Sequence, residues 1–338
     1  QLLARYGTPA AALKALPALA RRGGVPLTPL AADLAAREIE ATEALGAQIL
    51  AATEPDYPPL LATLDPPPPV ITVRGDPALG ARPTVALVGA RNASAAGRKM
   101  ARDMAAALGS AGYVTVSGLA RGIDGEVHAA SLQTGTIAVL GGGVDHIYPP
   151  QHEALYAALA ERGLIVSESP LGHRATARDF PRRNRLITGM ALGVVVVEAA
   201  ERSGSLISAR TAADQGREVM AVPGSPLDPR AAGTNALLRG GASLVRDARD
   251  VLDVLDGLPR LRLEAPAPPV YETGPDAGPI PENQVDAVRM ALTPYPLPLD
   301  EIARAAGLGA ARCAAILMEL ELAGEAETLP GGLAARVV

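Results

Sequence analysis

The sequence predicts an α/β protein whose largest domain is a doubly wound parallel sheet. From residue 84 onward, short apolar runs recur, and amphipathic stretches separate them. Runs that are apolar throughout are typical of strands buried on both faces, and helices between them connect parallel neighbours. The six runs read VALVGA, YVTVSG, TIAVLGGG, LIVSES, GVVVVEA and EVMAVPG.

Helical patterns precede and accompany this sheet. Residues 1 to about 50 are rich in Ala and Leu without strand-like alternation, so we expect a small helical domain there. The window Ser94–Ala111 carries apolar residues four apart, which predicts a helix with Ser94 as its N-cap. In the Pro-dense stretch between them, Val70–Arg74 predicts an edge strand.

The C-terminal part divides into a linker and a small module. Residues 256–282 hold seven prolines, which is typical of a linker. From residue 283 the pattern fits three helices followed by a two-stranded ribbon, the order of a winged helix. We therefore expect a helical domain at 1–53, a sheet domain at 54–255, the linker, and a winged-helix-like module at 283–338.

The distribution of charge points to the middle of the chain. The net charge of the 338 residues is −5, but residues 83–190 hold 11 Lys/Arg and 8 Asp/Glu, a local balance of +3. An anion-binding surface is therefore expected there. A single Cys313, no run of 18 apolar residues and no visible secretory leader lead us to expect a cytoplasmic protein without a membrane partner.

The loops that follow the apolar runs form the candidate site. Ligands of doubly wound sheets bind beyond the carboxyl ends of the strands. Exposed N–H groups at Gly and bidentate Arg side chains favour a phosphate-binding rim, although each Gly taken singly also fits a tight turn. The candidate residues are Gly89, Arg91, Asn92, Ser117, Gly118, Arg121, Gly122, Arg182, Arg183, Asn184, Arg185, Ser203, Gly204 and Ser205.

Several enzyme signatures are missing from these loops. The first loop, GARNAS, lacks the G-x-G-x-x-G of dinucleotide sites, and no P-loop or G-x-S-x-G elbow occurs. The four His show no metal-ligand spacing, so we expect neither a metal nor a cofactor. Asp124 and His128 lie four positions apart, at the start of a predicted helix. The pair could form a proton relay, but we favour a capping Asp and a structural His.

The segment FPRRNR is the densest basic stretch. Arg182, Arg183 and Arg185 follow Phe180, the only Phe of the chain, and precede an apolar helix. A helix that buries its apolar side would hold the guanidinium groups at the rim, where they can follow a phosphate backbone. Phe180 itself either anchors this segment or offers its ring to a base.

Ordered motifs over about residues 54–254 resemble one known family. The segments VGARNAS, VSGLARGIDGEVH, GTIAVLGGGVDHIYP, FPRRNRLITGM and ERSGSLISARTAADQGREVMAVPG are similar to the signature of the DNA-processing protein A (DprA/Smf) family. The resemblance implies an extended Rossmann-like DNA-binding domain. It also implies a sterile-alpha-motif-like N-terminal domain and a winged-helix-like C-terminal module.

The same resemblance implies a function. Family members bind and protect single-stranded DNA during natural transformation. They load the RecA recombinase in the presence of single-strand-binding protein, and they act as homodimers through the Rossmann-like domain without an established reaction. The family's motifs fall on Gly89 with Arg91, on Ser117–Asp124, on Arg183–Arg185 and on Ser203–Ser205.

Two features refine this expectation. With one Phe and seven Tyr, extensive base stacking is excluded, so we expect phosphate contacts that are largely independent of sequence. Residues 281–338 hold 4 Arg against 8 Asp/Glu, which favours a protein contact over strong duplex binding by the C-terminal module. Whether that module binds duplex DNA stays open.

One alternative belongs to a different functional class. Nucleotide-processing enzymes that resemble phosphoribohydrolases carry a P-G-G-x-G-T-x-x-E loop at a comparable strand end. The corresponding loop here reads ERSGSLISA, without the Gly pair and without the final carboxylate. The general base that such chemistry needs is therefore missing at that position.

Overall fold

A computed structural model describes residues 9–22, 30–258, 280–329 and 332–337 of the chain. Its strands are β1 (Ala47–Ala51), β2 (Val70–Gly75), β3 (Thr84–Val88), β4 (Val114–Ser117), β5 (Thr136–Val139), β6 (Leu164–Ser167), β7 (Gly193–Val196), β8 (Glu218–Ala221), β9 (Ser243–Leu244), β10 (Leu297–Pro298), β11 (Ala326–Leu329) and β12 (Leu333–Arg336). Its helices are α1 (Pro9–Arg22), α2 (Ala32–Ala44), α3 (Pro59–Ala62), α4 (Ala95–Ser110), α5 (Ile123–Ser131), α6 (Glu153–Arg162), α7 (Asp179–Gly189), α8 (Ser205–Asp214), α9 (Ala232–Arg239), α10 (Ala248–Asp256), α11 (Glu282–Ala291), α12 (Leu299–Ala305) and α13 (Ala310–Leu322).

The large sheet is doubly wound, as predicted. In the described residues it has the order β1-β2-β6-β5-β4-β3-β7-β8-β9, and the strands from β3 to β9 run parallel. From β3 the chain builds outward through β4, β5 and β6, and then returns to add β7, β8 and β9 on the other side. The direction of winding therefore reverses between β3 and β7, where such sheets bind ligands.

Helices cover both faces of this sheet, which explains why its strands are apolar throughout. In β3, Val85 and Leu87 belong to the core on one face, while Ala86 and Val88 belong to the core on the other. The first core packs against α4, α5 and α10, and the second against α7 and α8. Helix α4 begins where the sequence predicts, because the Ser94 hydroxyl accepts a hydrogen bond from the amide of Gly97.

Two predictions near the start of this sheet were wrong. Residues 47–51 form strand β1 instead of continuing the helical pattern, and β2 lies between β1 and β6 instead of at the edge. The cause is tertiary. Leu50 of β1 pairs with Ile71 of β2, and both side chains are buried, whereas the local sequence AQILA has no alternating pattern that would distinguish a strand.

Helix α1 and the helices and strands from α11 onward belong to a second compact unit. The chain divides into Gln1–Ala35 with Pro269–Val338, and Ala36–Pro268. In the first of these, α11, α12 and α13 pack around a core that includes Ile302 and Ile316, and β11 and β12 form the predicted ribbon. The predicted linker falls largely on residues 259–279, outside the described residues, and the domain boundaries stay a prediction.

Candidate nucleic-acid interface

A cleft of about 550 Å³ opens at the point where the winding of the sheet reverses. Loops that follow β3, β4, β7 and β8 form its walls together with the start of α7. Its lining residues are Val88, Gly89, Ala90, Arg91, Asn92, Ala120, Asp124, Phe180, Pro181, Arg183, Asn184, Ile187, Ala200, Arg202, Ser203, Gly204, Ser205, Ile207, Ser208 and Arg230. Eight of the predicted site residues, from the loops after β3 and β7 and from α7, are thus brought together.

The charge of the cleft is positive. Arg91, Arg202 and Arg230 are exposed along its walls, and Arg183 lies buried at its base. Asp124 is the one acidic side chain among the lining residues. Exposed guanidinium groups that converge from separate loops present a binding surface for phosphate.

Phe180 is central to this surface. Its ring lies 5.0 Å from the guanidinium carbon of Arg91, measured to the ring centroid, and 5.6 Å from the ring of Tyr148. An Arg above an aromatic face is held by a cation–π attraction. The single Phe of the chain therefore positions Arg91, one of the residues predicted to bind phosphate, inside the cleft.

The start of α8 forms another wall of the cleft. Gly204 occupies the N-cap position, and no side chain caps the helix among the described residues. The hydroxyl groups of Ser203 and Ser205 lie 2.7 Å apart beside it. The Ser205 amide donates to the Ser203 hydroxyl at 3.4 Å, and the amides of Leu206 and Ile207 donate to the carbonyl oxygens of Ser203 and Gly204. This terminus therefore favours anions through the helix dipole and the absence of an acidic residue in its first turn.

Arg183 is buried and serves the protein itself. Its Nη1 group donates hydrogen bonds to the carbonyl oxygens of Gly118, at 2.7 Å, and of Val139. Burial lowers the pKa of Arg183 to about 10, and the carboxylate of Asp124 partly counteracts this effect. This guanidinium therefore ties the loops after β4 and β5 to α7.

Asp124 and His128 also have structural environments. The Asp124 carboxylate accepts hydrogen bonds from the amides of Gly118 and Ala120, and burial raises its pKa. His128 is fully buried with Nδ1 at 2.8 Å from the Thr136 hydroxyl, and burial lowers its pKa to about 3. This geometry supports a structural His, and it shows no proton relay between described groups. Asp124 does not cap α5, because Gly122 is the N-cap residue of that helix and the carboxylate instead holds the preceding loop.

Glu198 occupies the position at α4 where a dinucleotide site would hold pyrophosphate. Its Oε2 accepts a hydrogen bond of 2.9 Å from the amide of Ser94, while Oε1 lies 3.4 Å from Nε of Arg230. A carboxylate already satisfies the N-terminus of the helix that follows the first parallel strand. The missing dinucleotide fingerprint therefore has a structural counterpart.

Six predicted site residues lie outside the cleft. Arg121 and Arg182 are exposed, and Arg182 lines two neighbouring cavities. Arg185 forms an ion pair with Glu168. The other three support the loops: Ser117 donates to the carbonyl of Leu87, Gly118 contacts Arg183, and Gly122 has a φ of 82° next to the carbonyl of Ala90.

The sequence-based set missed residues that line the cleft, above all Arg230. The predicted residues come from the loops after the first five apolar runs, whereas Arg230 lies in the loop after EVMAVPG, which reaches the same edge of the sheet. Arg202 and Ile207 were also left out. Their positions beside the Ser-Gly-Ser motif were the available signal.

Comparison with known proteins agrees with this geometry. The family model for DNA recombination-mediator protein A matches residues 48–256. The chain is 43% identical to Protein Smf of Escherichia coli over 288 residues, which cover 82% of this chain and 74% of that protein. The chain belongs to the DNA recombination-mediator protein A family. It is also 39% identical to DNA processing protein DprA of Bacillus subtilis, covering 65% of this chain and 75% of that protein.

The flanking domains and solved structures extend this assignment. Residues 1–41 match the DprA-like N-terminal HHH domain, and residues 272–332 match the DprA winged helix domain. DprA from Streptococcus pneumoniae superposes with a TM-score of 0.62 at 36% identity, over 66% of this chain and 78% of that one. DprA from Helicobacter pylori, whose structure was solved for its single-stranded DNA binding mode, superposes with a TM-score of 0.57 at 28% identity, over 62% of this chain and 95% of that one.

The described residues show neither a membrane span nor a metal site. Among the helices that the structure describes, none has the length and apolar character needed to cross a membrane. The described ranges also contain no group of three or more His, Cys, Asp or Glu side chains placed to hold a metal ion.

Proposed function

We propose that this family member binds single-stranded DNA in the cleft, mainly through phosphate contacts and largely independently of base sequence. The observation that carries the proposal is the convergence of Arg91, Arg202 and Arg230 around a cleft that the start of α8 also lines. The single-strand binding described for the Helicobacter pylori relative, whose fold matches 62% of this chain, supports it.

Phe180 gives the cleft a limited capacity for bases. Arg91 covers its ring, and Ile187 and Ile207 add apolar surface to the lining. A strand whose phosphates engage the arginines would place a base near this apolar part. Because the single Phe ring is already in contact with Arg91, we expect base stacking to add little affinity and not to read sequence.

The proposed role is binding, without catalysis. Asp124 is the acidic residue of the cleft, and its carboxylate is already occupied by two backbone amides. A general base must be free to approach the proton that it removes. The phosphoribohydrolase-like alternative would therefore have to use a group that the cleft does not offer, and no cofactor is invoked.

Membership of the family supports a wider role for the bound strand. We propose that the protein shields single-stranded DNA and loads RecA recombinase onto it in natural transformation and recombination. Single-strand-binding protein is an expected partner, in whose presence RecA would be loaded. We expect the protein to act in the cytoplasm as a homodimer formed through the Rossmann-like domain. The C-terminal module is proposed to contact protein, since Arg312 already donates a hydrogen bond to Gln284.

A fluorescence titration with single-stranded oligonucleotides over a salt series tests the binding proposal. Arg91→Ala and Arg202→Ala should each weaken binding, and each should reduce the log–log salt slope by about 0.7, the value for one lost phosphate contact. Arg239→Ala is a matched control, because this exposed Arg lies at the end of α9 and lines none of the described cavities.

The result that contradicts the proposal is equally clear. Wild-type protein that fails to bind, or Arg91 and Arg202 variants that match the wild type at every salt concentration, would exclude a phosphate site in the cleft. Release of base or phosphate from nucleotides under turnover conditions would instead favour the enzyme alternative.

A further inference from the structure

The loop that follows β8 also reaches the cleft. Residues 223–231, here called the β8 arm, run from the end of β8 to the start of α9. Arg230 of this arm lines the cleft together with Arg91 and Arg202. Three residues earlier, Leu227 is 93% exposed, although it is a large apolar side chain.

The β8 arm is held in one conformation by its own contacts. Prolines stand at positions 223, 226 and 229 and restrict the backbone. The Asn235 side chain both accepts a hydrogen bond from the amide of Gly224 and donates one to its carbonyl. Asp228 caps the short 3-10 helix Pro229–Ala231 by accepting from the amide of Arg230. The exposure of Leu227 is therefore part of a preorganised structure.

Arg230 is also positioned before any ligand binds. Its guanidinium contacts Asp228 at 2.8 Å and Glu198 at 3.4 Å, and its side chain remains 47% exposed. Glu198 is itself fixed by the amide of Ser94. The two carboxylates hold the cation at the edge of the cleft, where its exposed part is free to meet a phosphate.

We infer that the β8 arm is a second wall of the single-strand interface, on which Arg230 contacts a phosphate and Leu227 contacts an adjacent unstacked base. The inference rests on the proposed function. It commits to single-stranded DNA because the arm is continuous with the cleft and contributes an exposed cation to it. The unstacked bases of a single strand expose apolar faces, which a duplex does not, and these faces match a bare Leu.

The test separates the base contact from the phosphate contact. Binding is measured with an oligothymidylate and with an abasic deoxyribose-phosphate oligomer of the same length. Leu227→Ser should weaken oligothymidylate binding about 5-fold, as expected for partial burial of one Leu, and should leave abasic binding unchanged. Arg230→Gln should weaken both, with the salt slope reduced by about 0.7, and Arg230→Lys should restore the slope.

Matched controls come from the same compact unit. Val70 is 45% exposed and lines none of the described cavities, so Val70→Ser controls for loss of an exposed apolar side chain. Arg239→Gln controls for loss of one positive charge. Both should bind both oligomers like the wild type.

The outcomes distinguish this inference from the proposed function. If the wild type binds and Arg91→Ala weakens binding, but the variants of Leu227 and Arg230 match the wild type, the β8 arm inference alone fails. Equal loss of affinity for both oligomers in Leu227→Ser also overturns the inference. A changed sedimentation coefficient of the free Leu227→Ser protein overturns it as well, because it would show that Leu227 contacts a second copy of the chain. If the wild type binds neither oligomer, the proposed function fails first.

Discussion

Replacement of Arg183 by Met tests whether this arginine organises the loops or binds phosphate. The side chain is 7% exposed and belongs to the basic motif that sequence analysis assigned to DNA. Met fills a comparable volume without hydrogen-bond donors. The substitution therefore leaves the buried carbonyl groups of Gly118 and Val139 without the guanidinium that now contacts them.

The expected loss of stability follows from these contacts. An unsatisfied buried acceptor costs about 1–3 kcal/mol, and two are created here. Asp124 also loses the cation that it faces in the interior. Relief of the guanidinium's desolvation offsets part of this cost, so we expect the free energy of unfolding to fall by about 3 kcal/mol. The neighbouring, exposed Arg182→Met should change it by less than about 0.5 kcal/mol.

Equilibrium urea denaturation followed by far-UV circular dichroism measures both variants against the wild type. Single-strand binding is then compared under conditions in which each variant is folded. If Arg183→Met keeps the wild-type denaturation midpoint while its salt slope for DNA binding falls by about 0.7, the guanidinium contacts phosphate and the structural reasoning is refuted.

Two further predictions concern a pair of glycines and a buried His. A Cβ on Gly118 would lie 2.6 Å from Nη1 of Arg183, so Gly118→Ala should lower the free energy of unfolding by about 1–3 kcal/mol. A Cβ on Gly204 would have no atom within 4 Å, so Gly204→Ala should leave the free energy of unfolding nearly unchanged. Equal urea midpoints for the two variants would contradict this contrast. Burial lowers the pKa of His128 from 6.5 to about 3, so the unfolded chain takes up this proton first as the pH falls below 6.5. Between pH 7 and pH 5 the free energy of unfolding of the wild type should therefore fall by about 2 kcal/mol through this group. The variant His128→Gln, which can keep a hydrogen bond to Thr136, should lose correspondingly less stability. Urea midpoints of both proteins at pH 7 and pH 5 measure this difference. The same pH slope in both proteins would show that His128 is not the responsible group.

The apolar runs and the rim loops were readable from the sequence because their signals are local. A parallel strand covered on both faces must be apolar at consecutive positions, so the six runs correspond to β3 to β8. Since those strands run parallel, the loops at their carboxyl ends share one edge of the sheet. Residues such as Gly89, Arg91 and Ser203 can therefore be predicted from the sequence to share one site.

Contacts between distant parts of the chain could not be read in this way. Strand β1 exists because it pairs with β2, and Arg230 reaches the cleft because β8 lies beside β7 in the sheet. Neither pairing leaves a signal in a short window of sequence. Tertiary pairing therefore overrode a local helical pattern in the first case and completed the site in the second.

Arg182 and Arg183 show which properties of a site residue the sequence determines and which the tertiary structure decides. The sequence determined that a basic motif begins an apolar helix at the rim, and the spacing of Arg183 to Ile187 and Met190 already places these residues on one helix face. What Arg183 meets on that face was decided only by the tertiary structure, which brings the carbonyl groups of Gly118 and Val139 to its guanidinium. Its neighbour stays exposed, because adjacent residues of a helix do not share a face. The physical reason is that periodicity sets the direction of a side chain, whereas its partners come from other parts of the chain.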